Sequence, residues 1–248
     1  MSRIAAAFGA AADYDTHARV QRIVAERLAD AIMDLPLPSA PRVLEIGCGT
    51  GFLTRALAER GLAGEWLVTD ISPEMVERCR AALDERPGTT FAVLDGEHGT
   101  PPGAGSFDLV CSSLALQWFA DPAAAIARMA GWLAPGGRAL VTTLAAGTFA
   151  EWRAAHEEVG EVAATPDYPD AAALAAMLPP GAAPVRIDRL VDAHADAAAF
   201  MRGLRGIGAH RPLSERRPLG PAALRRVMDA FGGRVTYEVA TLQFGREA

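Results

Sequence analysis

From Arg42 to Leu144 short apolar runs alternate with stretches whose apolar residues recur at helical spacing. RVLEIG, EWLVTD, FAVLD, FDLVCSS and RALVTTL are brief, rich in β-branched and aromatic residues and bounded by turn residues, as strands buried on both faces of a parallel sheet must be. Between them FLTRALAER stops at Gly61, which suits a helix C-cap. Ser72-Pro73 and Asp121-Pro122 each pair an N-cap residue with proline at the first helical position. Ala134-Pro-Gly-Gly137 reads as the turn into the fifth strand. Strand and helix in strict alternation predict a doubly wound α/β sheet with right-handed crossovers.

After Leu144 the spacing changes. TFAEWRAAHEEVG and DAAALAAML have helical periodicity, PPGAAP is a loop, and VRIDRLVDA is a sixth strand. Helical stretches at 196–207 and 221–231 follow, and VTYEVATLQFG alternates as a closing seventh strand should. No fixed-period repeat and no long linker interrupt the chain, so residues 1–248 are expected to form one domain. Its parts are an N-terminal helical lid over 1–40, a core over 41–145, and helical lid insertions with closing strands over 146–248.

Ahead of the first strand lies FGAAADYDTHARVQ. If Asp15 caps a helix there, His17, Gln21, Val24, Leu28, Ala31 and Leu35 form one stripe, apolar at its far end and polar at its near end. His17 and Gln21 would then point inward, with Tyr14 just ahead of the cap. Buried polar groups need partners, and either a bound ligand or a capping cluster satisfied by backbone would supply them.

Composition narrows the function. The net charge of −6 argues against a general nucleic-acid binder, and no apolar stretch is long enough to span a membrane. Cys48, Cys79 and Cys111 are odd in number and form no CxxC pair, which suits reduced thiols in the cytoplasm. His156 and His194 have no partner at ligand spacing, so they read as surface residues and no metal is expected.

The chemistry concentrates in Val43-Leu-Glu-Ile-Gly-Cys-Gly-Thr-Gly51. Gly47, Gly49 and Gly51 follow a strand and open a helix, where backbone can pass close to a ligand. The dinucleotide fingerprint needs glycine at position 52, which is Phe52 here. Glu45 in the strand, the three glycines, and Asp70 at the end of the second strand resemble the first motifs of class I S-adenosylmethionine-dependent methyltransferases. That resemblance implies a mostly parallel seven-stranded Rossmann-like sheet, with Glu45 and the loop from Gly47 through Cys48 to Gly51 near the cofactor's methionine end. It implies ribose hydroxyls on Asp70 with Ile71 and Met75 beside them, Asp95-Gly96 facing the adenine, and Ser112 to Leu114 at the methyl end. Gln21 joins this set from the N-terminal stripe. Cys48 itself reads as a small packing residue, with no base or cation beside it in sequence to activate a thiol.

A closer resemblance covers nearly the whole chain. FGAAADYDTHARVQ, SSLALQWFADP, LVTTLAAGTFAEWRAAH, MRGLRGIGAHRP and VTYEVATLQFG, in this order, are similar to the malonyl-acyl-carrier-protein O-methyltransferases of biotin synthesis. The resemblance implies methylation of the free carboxylate of a malonyl thioester, on carrier protein or coenzyme A. Candidate contacts to that carboxylate are Tyr14, His17, Gln117, Trp118 and His210, with Trp118 equally suited to be a core aromatic. Tyr168 and Arg153 lie in the insertion after the fifth strand, from which either could reach the cleft, though the sequence alone does not decide it.

A carrier protein is acidic, and its partner surface should be basic. Residues 201–234 hold eight arginines, Arg202, Arg205 and Arg211 among them, against Glu215 and Asp229. They form either a docking face or simply a solvated one. Two other functions share the cofactor residues: a methyltransferase for another small acid or a quinone, and a non-catalytic subunit that binds S-adenosylmethionine without consuming it.

Overall fold

The computed structural model describes residues 14–83, 86–209 and 219–247. Seven strands form one sheet: β1 (Arg42–Ile46), β2 (Glu65–Asp70), β3 (Thr89–Val93), β4 (Phe107–Ser113), β5 (Leu133–Leu144), β6 (Arg186–Ala193) and β7 (Arg234–Gly245). The order is β3-β2-β1-β4-β5-β7-β6, with only β7 antiparallel to its neighbours. All seven are the apolar runs read from the sequence. The third strand lies two residues earlier than FAVLD, and the larger shift is at β5: Leu133 already pairs with Phe107, and the register shifts before Arg138 meets Leu109. Ala134–Gly137 is therefore a bulge within the strand rather than a turn before it. Gly136 adopts φ +79° there and donates its N–H to the Arg246 carbonyl.

The described helices are α1 (Tyr14–His17), α2 (Arg19–Met33), α3 (Phe52–Glu59), α4 (Pro73–Ala82), α5 (Pro122–Trp132), α6 (Ala150–Glu158), α7 (Ala171–Ala176), α8 (Ala197–Gly206) and α9 (Pro221–Ala230). Ser72 and Asp121 cap α4 and α5 by accepting the amide protons of Met75 and Ala124, each with proline inside the first turn. On one face of the sheet α2, α3 and α4 bury Leu28, Leu57 and Cys79; on the other, α5 and α7 bury Ile126, Met129 and Leu174. A third cluster joins α6, α8 and α9 to β7 through Trp152, Phe200, Val227 and Tyr237.

The N-terminal stripe is corrected. The helix breaks at Ala18, whose φ of −91° and ψ of 39° are not helical, and α2 begins at Arg19. Asp15 lies inside α1 and accepts a 2.6 Å hydrogen bond from the Thr50 hydroxyl instead of capping. The inward face of α2 is Val20, Val24, Ala25, Leu28, Ala29 and Ile32, while His17 is exposed and Ala31 and Leu35 are half-buried. A break of one residue resets the helical phase, so a stripe drawn through it cannot hold at both ends.

Candidate active site

Chain direction out of the sheet reverses between β1, which leads to β2 on one side, and β4, its neighbour on the other. Open α/β sheets bind ligands at this switch point, outside the carboxyl ends of the strands. The loops after β1 and β4 meet there. Gly47 has φ +72°, and a Cβ on it would lie 2.6 Å from the Ala115 Cβ, so glycine is needed both for the backbone and for the close approach. Gly49, at φ +53°, has no atom within 4 Å of its Cβ position: the backbone borders open space.

That space is a cavity of about 240 Å³, far beyond the roughly 10–15 Å³ that holds one water. Gly47, Gly49, Asp70, Ile71, Met75, Asp95 and Gly96 line it from β1, β2 and β3; Leu114, Gln117 and Trp118 line it from the loop after β4; Tyr14 and Gln21 line it from the N-terminal helices. A cradle of bare backbone beside a carboxylate at the tip of β2 suits the ribose and amino-acid portions of S-adenosylmethionine.

Asp70 is prepared for such a role. One carboxylate oxygen accepts the Gly49 N–H at 2.9 Å and the other accepts the Ser72 N–H at 2.9 Å. Burial raises its pKa, and the backbone donors at Ser72, Gly49 and Ile71 work against that rise. Asp95 turns the next loop by accepting the amide protons of Glu97 and His98. Burial opposes its ionisation, but these donors hold its pKa below the usual carboxylate range.

Several expected contacts fall elsewhere. Glu45 is buried beneath α3, where its carboxylate accepts from the Thr54 hydroxyl at 2.8 Å, and it does not line the cavity. Cys48 and Gly51 also lie behind the loop. The Cys48 thiol, hydrogen-bonded to Cys79 and buried, is held well above its ordinary pKa, and a Cβ on Gly51 would meet the Cys79 sulfur at 2.9 Å. Ser112 is fully buried, and its hydroxyl ties β4 to β1 by donating to the Ile46 carbonyl at 2.8 Å; the neighbouring Ser113 lines the cavity instead. Alternation along a strand assigns adjacent residues to opposite sides, and residue type alone does not say which. His17 lies against Gly206 of α8, outside the lining. His210 and Arg211 lie outside the described residues.

Burial raises the Glu45 pKa from 4.5 to about 8, with the nearby Cys79 adding to the rise. The folded chain therefore binds this proton more tightly than the unfolded chain, so Glu45 makes stability decline as pH climbs from 4.5 to about 8 and level off above. Glu45→Gln, which keeps an acceptor for Thr54, should remove that decline. Urea titrations at about pH 5 and about pH 8 should find the variant gaining on the wild type by a few kcal/mol at the higher pH. A constant difference would mean that Glu45 ionises as an ordinary carboxylate.

The far wall of the cavity is aromatic and comes from distant segments: Phe149, Tyr168, Tyr237 and, from the end of α8, Leu204 and Ile207. The Phe149 ring sits 6.5 Å from Tyr168 and 5.1 Å from Tyr237, both edge to face. Burial pushes the hydroxyls of Tyr14, Tyr168 and Tyr237 up, the Asp70 carboxylate adding to the rise at Tyr14, so all three are neutral donors. Among the described residues none of these hydroxyls has a hydrogen-bond partner, and no arginine lines the cavity. Gln117 is already committed in part. Its amide donates to the Leu114 carbonyl at 2.5 Å and its oxygen accepts from Thr143 at 3.4 Å, which steadies a loop whose Leu114 has φ +52°. Of the far-wall residues the sequence singles out only Tyr168, which lies in the insertion after the fifth strand and could reach the cleft from there. Tyr237 needed the facing direction of β7, which alternation leaves ambiguous.

His156 and His194, expected at the surface, are instead buried and half-buried. His156 is 4% exposed, its ring edge-on to Trp152 at 4.8 Å, and the His194 ring packs 5.3 Å from Phe200. Both fill an aromatic cluster that sequence separation conceals.

Fold and loop geometry define the class, and a methyltransferase-domain family model matches residues 43–137. The Haemonchus contortus phosphoethanolamine N-methyltransferase 2, solved in complex with S-adenosyl-L-methionine, shares the fold at TM-score 0.55 and 16% identity over 96% of this chain and 60% of that one. Two relatives are closer in sequence. The malonyl-[acyl-carrier protein] O-methyltransferase of Magnetococcus marinus is 43% identical over 96% of this chain and 90% of its own length. The biotin biosynthesis bifunctional protein BioCD of Bordetella avium is 48% identical over 96% of this chain, which spans 51% of that longer protein. The chain belongs to the malonyl-[acyl-carrier protein] O-methyltransferase family.

Proposed function

We propose that this protein methylates the free carboxylate of a malonyl thioester, carried on acyl-carrier protein, with S-adenosylmethionine as donor, in the cytoplasm and for biotin synthesis. The observation that carries the reading is the 43% identity along 90% of a relative named for that reaction. The cavity supports it. Asp70 is oriented to accept ribose hydroxyls, Asp95 and Gly96 stand at the adenine side with Ile71 and Met75 between, and Gly47, Gly49 and Gln21 border the methionine end. Glu45, Cys48, Gly51 and Ser112 act from behind by shaping the loop.

When bound, S-adenosylmethionine supplies a methyl group on a sulfonium. The demand on the protein is positional. A carboxylate with an ordinary pKa near 4 is already ionised at pH 7, so no general base is required. Orientation and exclusion of water can supply about 7–11 kcal/mol. Tyr14, Tyr168, Tyr237 and Trp118 offer an apolar wall with neutral donors that orient a carboxylate oxygen. Esterification removes the malonyl charge, so the product can enter elongation as an ordinary acyl chain.

The test is to incubate the protein with methyl-labelled cofactor and, separately, malonyl-carrier protein, malonyl-CoA and a panel of free acids. Label on the thioesters supports the reading; label only on free acids overturns it, and cofactor binding without any transfer returns the chain to a non-catalytic role.

For the partner surface, Arg202 and Arg205 stand exposed on α8, whose last turn borders the cavity. Reversing both to glutamate should lower kcat/KM for malonyl-carrier protein about tenfold, with a weaker effect at high salt. Turnover of a short malonyl thioester should be unchanged; equal loss on both substrates would deny the docking role.

A further inference from the structure

A second chamber of about 260 Å³ adjoins the cavity and shares Phe149, Pro166 and Leu204 with it as a common wall. Trp152, His156, Met201 and Arg205 line it, and none of these four lines the first cavity. We infer that this chamber is the berth for the phosphopantetheine arm that carries the malonyl thioester. The inference rests on the proposed malonyl-thioester reading and adds where the arm lies.

The chamber matches that ligand along its length. The arm is a narrow chain with a phosphate at the carrier end, two amides in the middle and the thioester at the tip. Arg205 is exposed at one boundary, beside Arg202 on the same helix, where a phosphate and an acidic carrier would meet it. Phe149, Trp152 and Met201 give apolar walls for the chain. His156 gives the polar contact: it is 4% exposed, and its Nδ1 lies 2.8 Å from the Trp152 carbonyl. An Nδ1 that donates to a carbonyl leaves Nε2, in the neutral ring, as an acceptor. Among the described residues Nε2 has no hydrogen-bond donor, and an amide N–H of the arm supplies one. The two spaces adjoin at Phe149, Pro166 and Leu204, so an arm lying in the second and passing between these side chains would bring its tip into the first, beside Tyr168 and the loop after β4. Dead-end packing voids are apolar throughout, whereas this one has a cation at its edge and an imidazole in its wall.

The experiment compares wild type, Met201→Trp, Met201→Leu and Arg205→Gln on malonyl-carrier protein, malonyl-CoA and malonyl-N-acetylcysteamine, and titrates coenzyme A and S-adenosylhomocysteine calorimetrically. Met201→Trp fills the chamber and should raise KM for both long thioesters about tenfold or more while sparing the short one. Met201→Leu, which keeps the side-chain volume, should raise KM for the long thioesters far less than Met201→Trp does, and Arg205→Gln should weaken coenzyme A binding. Unchanged S-adenosylhomocysteine binding establishes that each variant is folded. Wild-type kinetics of Met201→Trp on the long thioesters, or equal losses on long and short, would overturn the berth. If the wild type esterifies none of the three thioesters, the functional reading fails separately; the berth then stands if coenzyme A binds the wild type and not Met201→Trp, and falls if it binds neither or both.

Discussion

Asp70→Ala is expected to lower affinity for S-adenosylmethionine and its demethylated product by about two to three orders of magnitude, since charge-assisted hydrogen bonds contribute about 1.5–3 kcal/mol each. Two effects combine. The contact to the ribose hydroxyls is lost, and the amides of Gly49 and Ser72, each 2.9 Å from a carboxylate oxygen, lose their acceptor. The second effect loosens the glycine loop from within. Asp70→Asn keeps an acceptor for one amide and presents an N–H to the other, so its loss should be intermediate. Calorimetric titration of S-adenosylhomocysteine into both variants checks this, and affinity within about twofold of wild type in the alanine variant would remove Asp70 from the site.

The largest stability effect is expected at Phe200. It is 1% exposed, and its ring stands 5.6 Å from Phe149, 5.4 Å from Trp152, 5.4 Å from Phe231 and 5.3 Å from His194. Phe200→Ala removes the ring that these four share and leaves a cavity that tightly interlocked neighbours cannot refill, at a cost of about 3–5 kcal/mol. Denaturant titrations of wild type and variant measure it directly. Because Phe149 belongs both to this cluster and to the active-site wall, turnover should fall well before the midpoint of unfolding. A loss below about 1 kcal/mol would mean that the helices α6, α8 and α9 repack freely.

The sheet was legible because strands buried on both faces must be continuous apolar runs, and RVLEI, EWLVTD and FDLVCSS are such runs bounded by turns. Asp70 and Asp95 were placed for a related reason: in a parallel sheet the strand ends fix where the loops go. Direction within a strand was not legible. Glu45 sits in the expected motif yet turns away beneath α3, and Ser112 gives way to Ser113. Helical phase failed where one residue, Ala18, left the helix, so that His17 reached the surface while Gln21 kept the cavity. The aromatic wall was the least accessible part. Phe149, Tyr168, Phe200 and Tyr237 are brought together only by the long-range packing of the late helices on β7, and nothing local in the chain encodes that meeting.

Leu114 and Phe149 are the non-glycine residues among those described with positive φ, at +52° and +63°, and both border the cavity. A side chain held in that region costs about 1–3 kcal/mol. Glycine at either position would relieve the backbone, but it would delete a buried side chain whose packing is worth more than the strain, at a net cost in stability and with the loss of an apolar surface against which ligands pack. The chain thus carries backbone strain at the two places where the shape of the cavity is decided, and the packing of the same two side chains is what holds that strain in place.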